Sequence, residues 1–141
     1  RCGSCRYTLD YSAPPVSYAC HCLDCQTMSG ASFAIQAMVP SSRFRITGDL
    51  VEWVHPNSRG DVTIQRFCAV CKTRLYSTNE GRPGTSLIRV GTLDDSAAVI
   101  PAVHMWAKRK QAWIALPPEA EVFDEAISPD RAKICFAPNF G

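Results

Sequence analysis

The amino-acid sequence predicts an all-β fold, a sandwich-like architecture of short antiparallel strands, and three observations support this. Short segments rich in β-branched and aromatic residues recur along the chain, which is typical of strands. Clusters of Pro, Gly, Asn and Asp separate these segments, as at residues 47–49 and 79–84, and such clusters form turns. Helical patterns are confined to two short stretches.

The elements follow in order from this pattern. The segments predicted to be strands are residues 6–10, 16–20, 33–39, 44–46, 50–55, 62–67, 87–90 and 103–106. Further turns are predicted at 14–15, 56–61 and 117–118. A short helix is predicted over 23–29, ending at Gly30, and a helical turn near 94–98.

Length and composition favour one folded unit with one core. The chain has 141 residues, of which 46% are hydrophobic and 20% charged. We expect a domain over residues 1–125 and, because periodicity fades from about Asp124, an irregular tail over 126–141 that wraps the surface or associates with a neighbour. The formal charge of +2 is too small to favour a nucleic-acid partner. No run reaches the roughly 18 apolar residues that a spanning helix needs, so no membrane partner is expected either.

The cysteines carry the clearest chemical signal. Seven of the eight fall into tight groups: Cys2, Cys5, Cys20, Cys22, Cys25, Cys68 and Cys71. Cys2 and Cys5, like Cys68 and Cys71, have the Cys-x-x-Cys spacing that lets two sulfurs converge on one zinc ion. Two such turns far apart in the chain predict one structural zinc that ties the N-terminus to the second turn.

The middle group, Cys20, Cys22 and Cys25, predicts a second zinc of a different kind. Three thiolates leave either a fourth protein ligand or an open position, and an open position is typical of a reactive site. His21 could be the fourth ligand, but it would point the opposite way in an extended segment, so we favour the open position. Asp24 could hydrogen-bond an amide beside the site or cap the following helix, and we favour the cap.

Two other interpretations of the cysteines are less favoured. Disulfides in an oxidising compartment would allow 105 pairings of eight cysteines, but cysteines one or two residues apart are poorly placed to bridge. Buried thiols acting as small hydrophobes do not suit the polar neighbours His21, Asp24 and Gln26. Cys135 stands alone and is interpreted as an unpaired thiol.

Three motifs together resemble the glutathione-dependent formaldehyde-activating enzyme family, also called the centromere-protein-V-like family. They are residues 2–7 (CGSCRY), 20–30 (CHCLDCQTMSG) and 66–71 (RFCAVC), with a later match at 104–106 and Trp113. The resemblance covers residues 1 to about 125. It implies a zinc-binding fold of the Mss4-like or β-tent type, with one structural and one catalytic zinc.

The resemblance also assigns ligands. It implies that Cys20, Cys22 and Cys25 hold the catalytic zinc and that Cys68 and Cys71 form half of the structural site. For the other half, alignment on Gly3, Arg6 and Tyr7 makes Cys2 the second cysteine of the family's Cys-x-Cys pair. The first would then precede Arg1, in a segment lost upstream, or Cys5 replaces it. Ala69 and Lys72 depart from the Pro and Gly that are usual in the family.

The implied activity is a carbon-sulfur lyase-type reaction, the addition of the glutathione thiol to formaldehyde or a related small aldehyde. A thiol bound to zinc is deprotonated, which supplies the nucleophile, and this use of the metal suits three thiolates better than activation of the aldehyde. The alternatives are an enzyme of this family that acts on another thiol adduct and a non-catalytic zinc-stabilised binding module. Reduced, metal-bound cysteines favour a cytoplasmic compartment.

Supporting roles are open at the level of sequence. His21 could move a proton beside the metal or pack in the core. His104 and Trp106 could line the substrate cleft or share a packed strand face. The basic run 108–110 could attract the carboxylates of glutathione or form a solvated turn.

Overall fold

The computed structural model describes residues 1–57 and 59–141, and this part of the chain is mostly β, as predicted. Its strands are β1 (Arg6–Leu9), β2 (Ser17–Cys20), β3 (Ala34–Pro40), β4 (Phe44–Thr47), β5 (Leu50–Pro56), β6 (Val62–Cys68), β7 (Arg74–Asn79), β8 (Thr85–Arg89), β9 (Val103–Met105) and β10 (Glu121–Val122). Its α-helices are α1 (Leu23–Ser29), α2 (Pro129–Cys135) and α3 (Ala137–Phe140). None of these described helices is long and apolar enough to cross a membrane.

Eight strands form one sheet in the order β10-β9-β2-β3-β8-β7-β6-β5, while β1 and β4 form a separate two-stranded antiparallel sheet. All strands were predicted to be antiparallel, but β9 runs parallel to both β2 and β10. The long connection from residue 90 to 102 allows this, because it returns the chain to the end of the sheet where β2 begins. The antiparallel prediction is therefore wrong for this edge of the sheet.

Two strands were missed by the sequence pattern. β7 lies in the middle of the sheet between β6 and β8, but it contains Ser77 and Asn79, which obscure its apolar alternation. β10 has only two residues and pairs through backbone hydrogen bonds, so it leaves no local pattern. The helix over Leu23–Ser29 and a turn of 3₁₀ helix at Ser96–Ala98 agree with the predictions. Of the turn predicted at 56–61, Ser58 lies outside the described residues.

The large sheet carries a hydrophobic cluster on each face. On one face, Val39, Tyr76 and Ile88 are buried beneath the two-stranded β1–β4 sheet, which contributes Tyr7 and Phe44. The second cluster is smaller, and its buried members are Tyr18, Cys20, Met38, Val103 and Phe136. Since Cys20 belongs to this second cluster, the middle cysteine group lies against its apolar side chains.

The tail was predicted to be irregular, and this is wrong for residues 129–140. Ser128 caps α2 by accepting a hydrogen bond from the Arg131 amide, and Pro129 occupies the first turn, where proline is favourable. Phe136 is only 1% exposed and packs edge-to-face on Tyr18, with ring centroids 5.6 Å apart. The sequence signal was weak because both helices are very short and their core contact is with distant strands.

Candidate metal centres and an arginine-lined cavity

The middle cysteine group is shaped by the junction between β2 and α1. Cys20 ends the strand, and Cys22 is the N-cap of α1, its sulfur accepting a hydrogen bond from the Cys25 amide at 3.3 Å. The expected cap, Asp24, lies two residues after Cys22 in the first turn, where its negative charge interacts favourably with the helix dipole. The prediction of an Asp24 cap is therefore wrong, because the thiol of Cys22 already occupies that place. Gly30 ends the helix in the left-handed conformation, with φ of 64°.

The sulfurs of Cys20, Cys22 and Cys25 lie within 4.8 Å of one another. The Cys20 and Cys22 sulfurs are 3.5 Å apart, close to the roughly 3.8 Å that a tetrahedral zinc-thiolate centre with 2.3 Å bonds requires. The hydrogen bonds from Cys20 and Cys25, with those of the Cys25 and Asp24 amides, lower the pKa of Cys22. These contacts stabilise the thiolate of Cys22, the form that binds metal, whereas the hydrogen bonds with Cys22 and Cys25 raise the pKa of Cys20. The geometry of the three sulfurs fits one ion.

His21 lies apart from the three sulfurs. Its side chain is fully buried, with Nε2 3.0 Å from Nδ1 of His104, and its ring also packs on Phe33. Burial lowers the pKa of His21 to about 4. A neutral, paired imidazole serves packing and orientation here, and the described residues bring three sulfurs and no histidine to the centre. The position that we expected to be open thus has no His, Asp or Glu ligand in the described part of the chain.

A second group of sulfurs joins the N-terminus to the turn between β6 and β7. Cys2, Cys68 and Cys71 also have sulfurs within 4.8 Å of one another, and those of Cys2 and Cys68 are 3.6 Å apart. Cys5 is not a member of this group, since its thiol donates to the Asp49 carbonyl at 3.3 Å. Cys5 therefore lies beside the group without joining it, and burial and the neighbouring Cys68 thiol raise its pKa.

The turn that carries Cys68 and Cys71 holds its shape despite Lys72. Hydrogen bonds from the Thr73 side chain and backbone lower the pKa of Cys71 to about 6, which favours a thiolate. Lys72, which stands where the resembled family usually has Gly, adopts a φ of 58°. Its amide donates to the Cys68 carbonyl at 3.0 Å, and Nζ donates to the Ala69 carbonyl at 2.6 Å. The left-handed backbone that Gly would adopt freely is kept here by these bonds.

A cavity of about 520 Å³ opens beside the middle cysteine group, on the sheet face that carries the second hydrophobic cluster. Cys20 and Cys25 line one part of it, together with Met28, Met105 and Trp106. Trp106 has a φ of 59°, an uncommon conformation for a large side chain, and its amide is held by the Glu125 carbonyl at 3.0 Å. The volume is within the usual range for small-molecule sites. Two residues were expected to line a cleft, and Trp106 lines this cavity. His104 does not line it, and its ring lies within hydrogen-bond distance of His21 instead.

The rest of the cavity wall comes from alternate residues of the sheet, which sequence analysis missed. Gln36 on β3 lies opposite Arg89 on β8, and its amide points at Cys25, with Nε2 to Sγ at 4.0 Å. Arg74 and Arg82 line the same space. The period of two along each strand was visible in the sequence, but the pairing of β3 with β8, which puts Gln36 beside Arg89, was not.

The basic run at 108–110 does not line this cavity. Lys108 pairs with Glu125, and Lys110 donates to the Ile114 carbonyl at 2.7 Å. The 3₁₀ turn Ala107–Arg109 includes the first two residues of this run. Of the two interpretations of this run, the structure supports the solvated turn.

Fold and site together define a β protein with two cysteine groups that could each hold a metal ion, one of them facing a cavity. The family model of the glutathione-dependent formaldehyde-activating enzyme matches residues 1–109, and the chain belongs to this family. A crystal structure of a Rhodobacter sphaeroides protein is similar at 18% identity with a TM-score of 0.52. The match covers 67% of this chain and 84% of that one, which supports the fold.

Proposed function

We propose that this protein is a zinc-dependent carbon-sulfur lyase-type enzyme that adds the thiol of glutathione to formaldehyde or a related small aldehyde. The observation that carries this proposal is the position of Cys20 and Cys25, whose three-sulfur group borders a cavity of small-molecule size. Membership of the family supports a glutathione-dependent, formaldehyde-activating type of function. Cys2, Cys68 and Cys71 lie on another part of the chain and would hold the structural zinc.

The reaction forms a C–S and an O–H bond, breaks the S–H bond and the π bond of the C=O group, and involves no oxidation. The thiol sulfur bonds to the aldehyde carbon, the C=O double bond becomes a C–O single bond, and the thiol proton ends on that oxygen. When bound by Cys20, Cys22 and Cys25, zinc supplies a site where a substrate thiol is held as its thiolate.

The protein's own residues provide the setting for this chemistry. The cap hydrogen bond between Cys22 and the Cys25 amide fixes two sulfurs relative to the start of α1. Gln26 anchors the same helix, since Nε2 donates to the His21 carbonyl at 2.7 Å. Gln36 directs an amide donor toward Cys25, and Trp106 covers the cavity from one side. Side chains held in place by such contacts would keep the reactants in productive geometry.

The test is the rate of S-hydroxymethylglutathione formation and breakdown, measured by NMR exchange at equilibrium with and without the enzyme. The zinc-loaded protein should exceed the uncatalysed rate, and Cys22→Ser should lose both this acceleration and one of two zinc ions. Cys135→Ser is the matched control, because Cys135 lies outside both sulfur groups and contacts Glu121 instead. A fully zinc-loaded wild type without acceleration would contradict the proposal and favour the non-catalytic module or another thiol adduct.

A further inference from the structure

We propose that Arg74, Arg82 and Arg89 form an anion-binding wall that recognises carboxylate groups of the thiol substrate, so that the enzyme selects anionic thiols over neutral ones. This inference rests on the proposed function, since it assigns the part of the same cavity that binds the non-reacting end of the substrate. The three side chains are called the arginine wall below.

The charge balance of the cavity is the first observation. The described residues that line it include Arg59 and the arginine wall but no aspartate or glutamate. Arg59 is neutralised in part by Asp61, at 3.4 Å. Within the described chain, no member of the arginine wall forms an ion pair with a carboxylate. A small-molecule site with this lining favours a ligand that brings negative charge.

The second observation is that two buried nitrogen atoms of the arginine wall lack hydrogen-bond partners in the described protein. Nη1 of Arg74 and Nε of Arg89 are shielded from solvent and have no hydrogen-bond partner in the described protein. A guanidinium that is desolvated without a partner costs stability, and a carboxylate is the group whose geometry best satisfies it. The side chain of Arg82 is directed into the same region, where Nη1 lies 3.9 Å from the Met38 sulfur.

The positions of the three arginines predict how the substrate is oriented in the cavity. Arg89 lies nearest the reactive end, because it is opposite Gln36 in the strand register and its charge interacts with the Cys25 and Cys20 thiols. Arg74 begins β7, two strands away from the Gln36 strand, and Arg82 lies in the β7–β8 turn. A substrate with its thiol at the cysteines and a carboxylate some bonds away would meet Arg74 and Arg82.

Binding of an unreactive probe tests this without requiring turnover. S-Methylglutathione keeps both carboxylates of glutathione but has no free thiol, and its diethyl ester removes both negative charges. With the zinc-loaded full chain in calorimetry, the acid should bind at least about tenfold more tightly than the ester. Arg74→Gln should weaken binding of the acid about tenfold and change binding of the ester less than about twofold, while Arg74→Lys should retain part of the affinity.

Two controls separate this role from a structural one. Arg45→Gln removes an exposed arginine of β4 that lies outside the cavity, and it should bind both probes as the wild type does. Zinc content and melting temperature are measured for every variant. Equal weakening of acid and ester by Arg74→Gln, or no preference for the acid in the wild type, would overturn the arginine wall. If the protein bound the acid selectively but did not catalyse aldehyde addition, the proposed reaction would be contradicted and the anion-binding role of the arginine wall would be kept.

Discussion

Gly48 allows the segment that carries Cys2 and Cys5 to pack closely against the turn between β4 and β5. It adopts a φ of 97°, and a Cβ built there would lie 2.2 Å from the Ser4 carbonyl oxygen and 3.1 Å from the Cys5 sulfur. The residue therefore meets two demands at once, a left-handed backbone and close contact with the segment that carries Cys2 and Cys5. Only glycine satisfies both.

We predict that Gly48→Ala lowers the free energy of unfolding by about 2–4 kcal/mol, since backbone strain and the clash with the Ser4 carbonyl add. Gly84→Ala is the matched control, because Gly84 has a φ of 73° but nothing within 4 Å of its built Cβ. It should cost only about 1 kcal/mol, the penalty of the backbone alone. Urea unfolding of both variants measures the difference, and equal losses would mean that the close approach to Ser4 is unimportant.

At the scale of elements, the C-terminal helices close the sheet face that carries the candidate active site. Asn139 is buried, and its amide donates to the Val16 and Met38 carbonyls at 2.9 and 2.8 Å, while its oxygen accepts from the Val16 amide at 2.7 Å. Phe136 and Ile127 line the cavity. The segment thus stabilises β2 and β3 and forms part of the wall beside Cys20.

We predict that Phe136→Ala lowers the free energy of unfolding by about 3–5 kcal/mol, because it leaves a void against Tyr18 in the second hydrophobic cluster. Phe140→Ala, at a side chain that is 47% exposed, should cost less than about 1 kcal/mol. Chemical denaturation monitored by tryptophan fluorescence compares the two. Similarly small decreases in the free energy of unfolding for both variants would show that packing of the C-terminal helices on the sheet contributes little to stability.

At the scale of the whole molecule, the two cysteine groups differ in how much of the chain each one connects. Cys20, Cys22 and Cys25 are neighbours in sequence, so a metal bound there orders a local turn. Cys2 lies 66 residues from Cys68, and Cys68 is only 1% exposed in the larger hydrophobic cluster. A metal at this second group therefore joins the N-terminal segment before β1 to the large sheet and contributes more to folding.

We predict that Cys68→Ser and Cys22→Ser each remove one zinc ion, but that only Cys68→Ser lowers the melting temperature strongly, by about 8 °C or more. Strong chelators should lower the melting temperature of the wild type similarly, since they remove ligand that binds only the folded chain. Zinc analysis by mass spectrometry and calorimetric melting give both quantities. A larger loss from Cys22→Ser would reverse the assignment of the structural site.

The sequence by itself determined the β character, the family and, apart from Cys5, the two cysteine groups that could hold metal ions. Cys-x-x-Cys and Cys-x-Cys spacings bring sulfurs together through a few backbone bonds, so sequence proximity alone indicated the sites. The membership of Cys68 and Cys71 in one group with Cys2 also followed, because a pair of sulfurs needs further ligands to complete a tetrahedron.

Only the tertiary structure decided which polar residues face the cysteines. Gln36 and Arg89 meet because β3 pairs with β8 in one register, and a shift of one residue would turn both side chains to the other face. His21 contacts His104 because β2 pairs in parallel with β9. The tail contributes Phe136 by packing on strands more than 90 residues earlier in the chain. Strand register and long-range packing depend on the balance of the entire core, whereas ligand spacing is a local property of the chain.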